Sequence, residues 1–207
     1  IGFIRELCDA AMNISNLQEL SVGPCYMTDE SLVLLCEAAQ QISALEKFSL
    51  SVNGGLESTN ACPVLVQLIR NAQVSIQEIE LILSDCPSLF ERQKDIDTFS
   101  DALAKYGPIS ILGLDNVGLS ESGFVALIKA STARNDCVCT KSNLWLTGQR
   151  FFGEAAFRQL VDSLPRMNQF ETLSIIDQQP IAPFWGSRVK SKINHQLMDA
   201  LQRNVGL

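Results

Sequence analysis

The sequence predicts an α/β fold built as a repeat array, with parallel strands along one side and helices along the other. Three observations carry this reading. The stretch Ile109-Ser-Ile-Leu-Gly-Leu-Asp-Asn-Val-Gly-Leu119 has apolar residues at its first, fourth, sixth, ninth and eleventh places, and the spacing recurs five more times. The recurrences are almost evenly spaced. Each is separated from the next by an amphipathic helical pattern, the signature of strand–helix units stacked one on another.

In chain order, the strand-type triplets are Leu17, Leu20, Val22; Leu45, Phe48, Leu50; Ile76, Ile79, Leu81; Ile109, Leu112, Leu114; Lys141, Leu144, Leu146; and Phe170, Leu173, Ile175. Measured at the middle residue, the steps are 28, 31, 33, 32 and 29. Lys141 is the one departure, so the fifth strand is expected to begin late. Helical faces at i, i+3, i+4 and i+7 lie between them. These are Leu32, Leu35, Cys36, Ala39; Leu65, Leu68, Ile69, Ala72; Phe99, Ala102, Leu103, Tyr106; and Phe157, Leu160, Val161, Leu164. A helix around Phe124, Leu127 and Ile128 has Ser120 or Ser122 as its cap. A final helix carries Ile193, Leu197 and Leu201.

The two ends share one feature. Ile4, Leu7, Cys8 and Ala11 match Leu32, Leu35, Cys36 and Ala39, each 28 residues earlier. Leu207 lies six residues past Leu201, as Leu45 follows Ala39 and Phe170 follows Leu164. The expectation is a single domain spanning residues 1–207 and truncated within a repeat at both ends, hence part of a longer polypeptide.

Composition narrows the function classes. The chain has 207 residues, 46% of them hydrophobic, a formal charge of −7 and a pI near 4.7. An acidic array is a poor binder of nucleic acid, which requires clustered Lys and Arg. Only Arg188, Lys190 and Lys192 form a short basic strip. No run approaches the roughly 18 apolar residues of a membrane span. There are seven cysteines, and Cys8, Cys25, Cys36 and Cys86 occupy places where an apolar residue is expected. Buried free thiols fit a reducing, cytoplasmic setting.

The repeat pattern resembles the leucine-rich repeat family, in the long-repeat subclass typified by ribonuclease inhibitor, and the resemblance covers essentially the whole chain. The family's ninth place is usually Asn or Cys. Cys25 and Asn53 match, Ser84 is a substitute, and Val117, Gln149 and Gln178 depart. The resemblance implies a horseshoe solenoid, with about six parallel strands on the concave face and about seven helices on the convex face. It also implies protein recognition. Arrays of this family serve as arms of intracellular receptors and ubiquitin ligases, as secreted bacterial effectors, and as parts of large assemblies.

The step from the sixth strand place to the first helical anchor is 10 or 11 residues at Val22–Leu32, Leu114–Phe124 and Leu146–Phe157. It lengthens to 15 at Leu50–Leu65 and to 18 at Leu81–Phe99 and Ile175–Ile193. These insertions contain Gly54-Gly55, Pro87 to Arg92, and Pro180 to Ser187. Insertions in solenoids gather on one edge and often serve binding, although loops also drift in length at little cost.

Strand places three, five and seven face solvent if the alternate places face the core. Two features stand out among them. Glu78, Glu80 and Asp115 form an acidic patch, suited to a partner with a basic surface. Trp145 stands among Ile111, Ile176, Asn143 and small neighbours. An exposed Trp is a contact candidate, or else it packs on Gly113 and Ser174 and shields the sheet. Trp185, in Pro183-Phe-Trp-Gly186, is a second aromatic candidate, set in an inserted loop.

Enzymatic chemistry finds little support. Glu78 and Glu80 would lie on an open sheet with nothing to tune them for acid–base work. Cys137-Val-Cys139 is the only close cysteine pair, short of the four ligands of a zinc site. His195 is the only histidine, so no Ser-His-Asp or Cys-His set can be assembled. No phosphate-binding glycine loop is present, and neither a metal nor a cofactor is expected. The expected function is a non-enzymatic protein–protein interaction module, binding on its concave face and inserted loops. The alternatives are a structural segment of a large assembly, or a GTPase-activating regulator drawing on Arg92, Arg150 or Arg188.

Overall fold

A computed structural model describes residues 2–57, 60–72, 76–106, 109–133, 142–147, 154–166 and 170–176. Helices and strands alternate through them: α1 (Gly2–Met12), β1 (Glu19–Cys25), α2 (Asp29–Gln41), β2 (Lys47–Asn53), α3 (Ala61–Asn71), β3 (Glu78–Ser84), α4 (Gln93–Tyr106), β4 (Ile109–Asp115), α5 (Glu121–Ala133), β5 (Ser142–Thr147), α6 (Glu154–Ser163) and β6 (Phe170–Ile176). The six strands form one open parallel sheet in sequential order, β1 to β6. Six α-helices lie among the described residues. The further helix expected at Ile193, Leu197 and Leu201 falls outside them, as does the Pro180–Ser187 insertion.

Alternation along each strand divides the sheet into a buried and an open face. Leu20 and Val22, Phe48 and Leu50, Leu81 and Leu83, Leu112 and Leu114, and Leu144 and Leu146 are all buried in one apolar core. The helices close that core and lie side by side in order, α1 against α2 through to α6. The helical anchors expected in α2 and α3 are buried without exception. In α4, Phe99, Ala102 and Leu103 are buried, but Tyr106 is 37% exposed and lies beneath the Arg70 guanidinium, 5.9 Å from its ring centroid. Of the two serines offered as a cap for α5, Ser120 takes the role: its Oγ accepts the Gly123 N–H at 3.0 Å. Thr28 does the same for α2, accepting from Ser31 N.

Four of the five expected strand offsets match the pairing, at Leu20↔Phe48, Phe48↔Ile79, Leu112↔Leu144 and Leu144↔Leu173. The fifth does not. Leu112 is level with Leu81, rather than with Ile79 as the repeat spacing predicts. The offset is 30 residues at Ile79↔Ile109 and 31 from Glu80↔Ile111 onward, against 33 in the repeat spacing; Ser110 is left as an extra residue, a bulge that moves the pairing by one position within this displaced register. Ser110 Oγ stabilises it by donating to Glu78 Oε1 at 2.8 Å and lying 3.3 Å from the Ile79 carbonyl.

Candidate functional site

The open face of the sheet carries the candidate site, and strand pairing fixes which side chains stand together. One row crosses five strands as Ser51, Ile82, Gly113, Trp145 and Ser174. Neighbouring strands lie about 4.8 Å apart, so side chains in a row are in direct reach of one another. Gly113 is the low point of this row. A β-carbon there would lie 3.3 Å from Trp145 Cε3 and 3.3 Å from Ile82 Cγ2. The indole and Ile82 therefore close over bare backbone, which is why Gly113 is buried while both flanking side chains are half-buried. Trp145 rests on the glycine and still presents part of its ring to solvent.

The next row, two residues toward the strand starts, runs Ser49, Glu80, Ile111, Asn143 and Thr172. Ile111 and Asn143 are half-buried here, beside the Trp145 row. Ile176 is paired with Thr147 in the row on the far side; its side chain lies outside the described set, and Trp185 lies outside the described residues altogether.

The acidic trio does not form one open patch. Lys47 Nζ lies 2.6 Å from Glu80 Oε1 and 3.4 Å from Glu78 Oε1. Burial works to raise the Glu80 carboxyl, but hydrogen bonds from Lys47 and Ser49, with the Lys47 charge, outweigh it and hold the group below its ordinary value. The hydrogen bond to Glu80 likewise raises the Lys47 ammonium. Glu19 is exposed and level with Lys47 on the other side, but the ammonium pairs with Glu80 and Glu78. Asp115 stands apart. The β3–β4 register sets it opposite Ser84, four residues along from Glu80, about 13 Å at 3.3 Å per residue. Its Oδ1 is buried without a hydrogen-bond partner among the described residues.

The inserted loops divide in the same way. After β3, the insertion turns inward: Leu89 and Phe90 are buried, Phe90 N donates to the Val117 carbonyl at 3.0 Å, and its ring meets Phe99 at 5.0 Å. The middle of that loop is anchored in the core, while Pro87, Ser88, Glu91 and Arg92 stay exposed. After β2, Gly54 and Gly55 adopt φ values of 89° and 93°, which an L side chain rarely adopts. The ring of Tyr26 lies against both glycines, and a β-carbon on Gly55 would fall 2.8 Å from Tyr26 Cζ. Tyr26 is nevertheless 73% exposed. It is the contact candidate that periodicity overlooked; its signal was the Gly54-Gly55 pair, which needs something to lie on it.

The thiols at Cys8, Cys36, Cys62 and Cys86 are buried, and Cys25 is half-buried. Burial pushes Cys36 and Cys62 up to about 12. Among the described residues no group of three or more His, Cys, Asp or Glu is placed to hold a metal ion. No described helix is long and apolar enough to cross a membrane.

No family model matches the chain, and no curated protein matches it significantly. Among solved structures the chain is similar to the leiomodin-1 actin-binding site 2 (ABS2), with 15% identity and a TM-score of 0.44, over 96% of this chain and 87% of that one.

Proposed function

We propose that the chain is a leucine-rich repeat solenoid of the ribonuclease-inhibitor-like long-repeat subclass, and that it acts as a non-enzymatic protein-binding module. The observation that carries the reading is the seat of Trp145. A large amphipathic ring is held half-exposed over Gly113, on an open sheet face whose other side chains are fixed in rows. A preordered surface loses little entropy on association, and Trp is enriched among the residues that dominate binding energy. Tyr26 on its glycine platform, in the loop after β1, is a second exposed aromatic contact candidate. The buried thiols suit a reducing, cytoplasmic setting.

The test is capture of a partner by the parent protein and its Trp145→Ala variant. The expected loss is more than about 1 kcal/mol, roughly fivefold in affinity. Unchanged affinity with an intact circular dichroism spectrum would remove Trp145 as an anchor.

A second reading, a segment built into a large assembly, is favoured by apolar surface on α1 and just after it. Phe3 is 75% exposed, Ile14 47% and Met12 40%. Crosslinking in native extract separates the two. Links from Lys47 to one discrete protein support recognition; links from all sides to many subunits support the assembly.

A further inference from the structure

On the helix side, away from the sheet face, a cavity of about 440 Å³ runs between α3 and the start of α4. Its apolar wall includes Pro63 and Val66, and its charged lining is Arg70, Arg92, Lys94 and Asp95. Three cations against one carboxylate give this groove a positive balance, in a chain whose formal charge is −7. The cations also have donors to spare. Asp95, itself buried, takes only the Arg92 Nε edge at 2.7 Å, and the guanidinium remains 56% exposed. Among the described residues Arg70 and Lys94 make no ion pair, and Arg70 is held instead against the Tyr106 ring. That contact orients the guanidinium without neutralising it.

We infer that this groove binds an acidic segment of a partner polypeptide in extended form. The spacing of the charges distinguishes this ligand from a single phosphate. Arg92 and Lys94 stand at the start of α4, whereas Arg70 lies against Tyr106 at its end. Along α3 the cavity is lined from Cys62, beside the Arg92–Asp95 pair, to Arg70, a stretch of about 12 Å at 1.5 Å per residue. One phosphate cannot engage both ends of such a groove. An extended chain of about four residues, at about 3.3 Å each, reaches from one to the other with carboxylates on the charged side and aliphatic stems on Pro63 and Val66.

The experiment titrates fluorescently labelled hexaglutamate into the full chain at low ionic strength and follows anisotropy. Arg70→Gln with Lys94→Gln is the test variant; both side chains are exposed, and Arg92 is left in place because it holds Asp95. Arg5→Gln with Lys129→Gln removes the same charge from exposed positions outside the cavity lining and serves as the control. The expected result is at least about a tenfold loss of affinity in the test variant and less than about threefold in the control. Equal losses in both would reduce the effect to the general field of the protein and overturn the site. Absence of hexaglutamate binding would overturn it, as would equal binding of hexaglutamine. Tighter binding of a hexapeptide carrying one phosphoserine among glutamines would replace it with a phosphate site. None of these outcomes bears on the Trp145 surface, which lies on the opposite side of the sheet.

Discussion

Replacing Gly113 by valine tests whether the indole of Trp145 rests on bare backbone. A β-carbon at position 113 already lies 3.3 Å from both Trp145 Cε3 and Ile82 Cγ2, so valine's two methyl groups must displace one neighbour. The indole, facing solvent, is the one with room to lift. A Trp side chain carries about 200 Å² of burial. Losing the covered half of it forfeits about 2.5 kcal/mol at 25 cal/mol per Å², an upper bound. Valine returns part of this through its strand preference and the removal of a flexible glycine, about 1 kcal/mol. The expected net loss is therefore about 1–2 kcal/mol. Gly113→Ala, which asks its neighbours for only a few tenths of an ångström, should change stability by less than about 0.5 kcal/mol. Urea denaturation reads the stability, and tryptophan emission in a Trp185→Phe background reads the indole, which should move to longer wavelength in the valine variant. A valine variant as stable as the parent, with unshifted emission, would show that Trp145 does not sit on Gly113.

Three further outcomes follow from the same geometry. Glu80 has a folded-state value below its ordinary 4.5, so its contribution is complete at neutral pH and disappears as pH falls through the folded value. Lys47 is raised, so its contribution holds below 10.5 and is lost as pH climbs through its own folded value. Lys47→Met should cost about 1 kcal/mol at pH 7 and flatten the acid limb of a urea midpoint-versus-pH curve, and an unaltered limb would count against the ion pair. Phe90→Ala should destabilise by about 3–5 kcal/mol, as a core truncation does; a loss under about 1 kcal/mol would return the Pro87–Arg92 insertion to the surface. Cys36 and Cys62 should resist a thiol reagent at pH 8 in the folded protein and react once urea unfolds it, as mass spectrometry would record. Rapid native labelling would contradict their burial.

Strand and helix order was legible in the sequence because each repeat announces itself twice, once at period two and once at period 3.6. The strand register between β3 and β4 was not. Ile79, Leu81 and Leu83 alternate without a break, so any even shift satisfies the same apolar pattern and periodicity does not choose among them. Trp145 and Gly113 were found on the same face because alternation alone dictates it. The grouping of Asp115 with Glu78 and Glu80 failed because it depended on the register. The part played by Lys47 depends on the reach of a long side chain, which periodicity does not encode. The inward turn of Leu89 and Phe90 was hidden because loop length says nothing about which way a loop faces.

The bulge at Ser110 also has a meaning at the scale of the whole open face. With the β3–β4 register around it, it makes a dislocation in the sense used of crystals: the repeat keeps its places at Leu20↔Phe48, Phe48↔Ile79, Leu112↔Leu144 and Leu144↔Leu173 but is displaced by one alternation at Leu81↔Leu112. On one side the rows are serine, lysine and glutamate with Ile82 at the seam; on the other they carry Ile111, Gly113, Asn143 and Trp145, with Asp115 toward the strand end. A ligand lying straight across the strands would thus pass from a charged terrace to an apolar one at a fixed seam. The two halves of its own surface would have to be stepped to match.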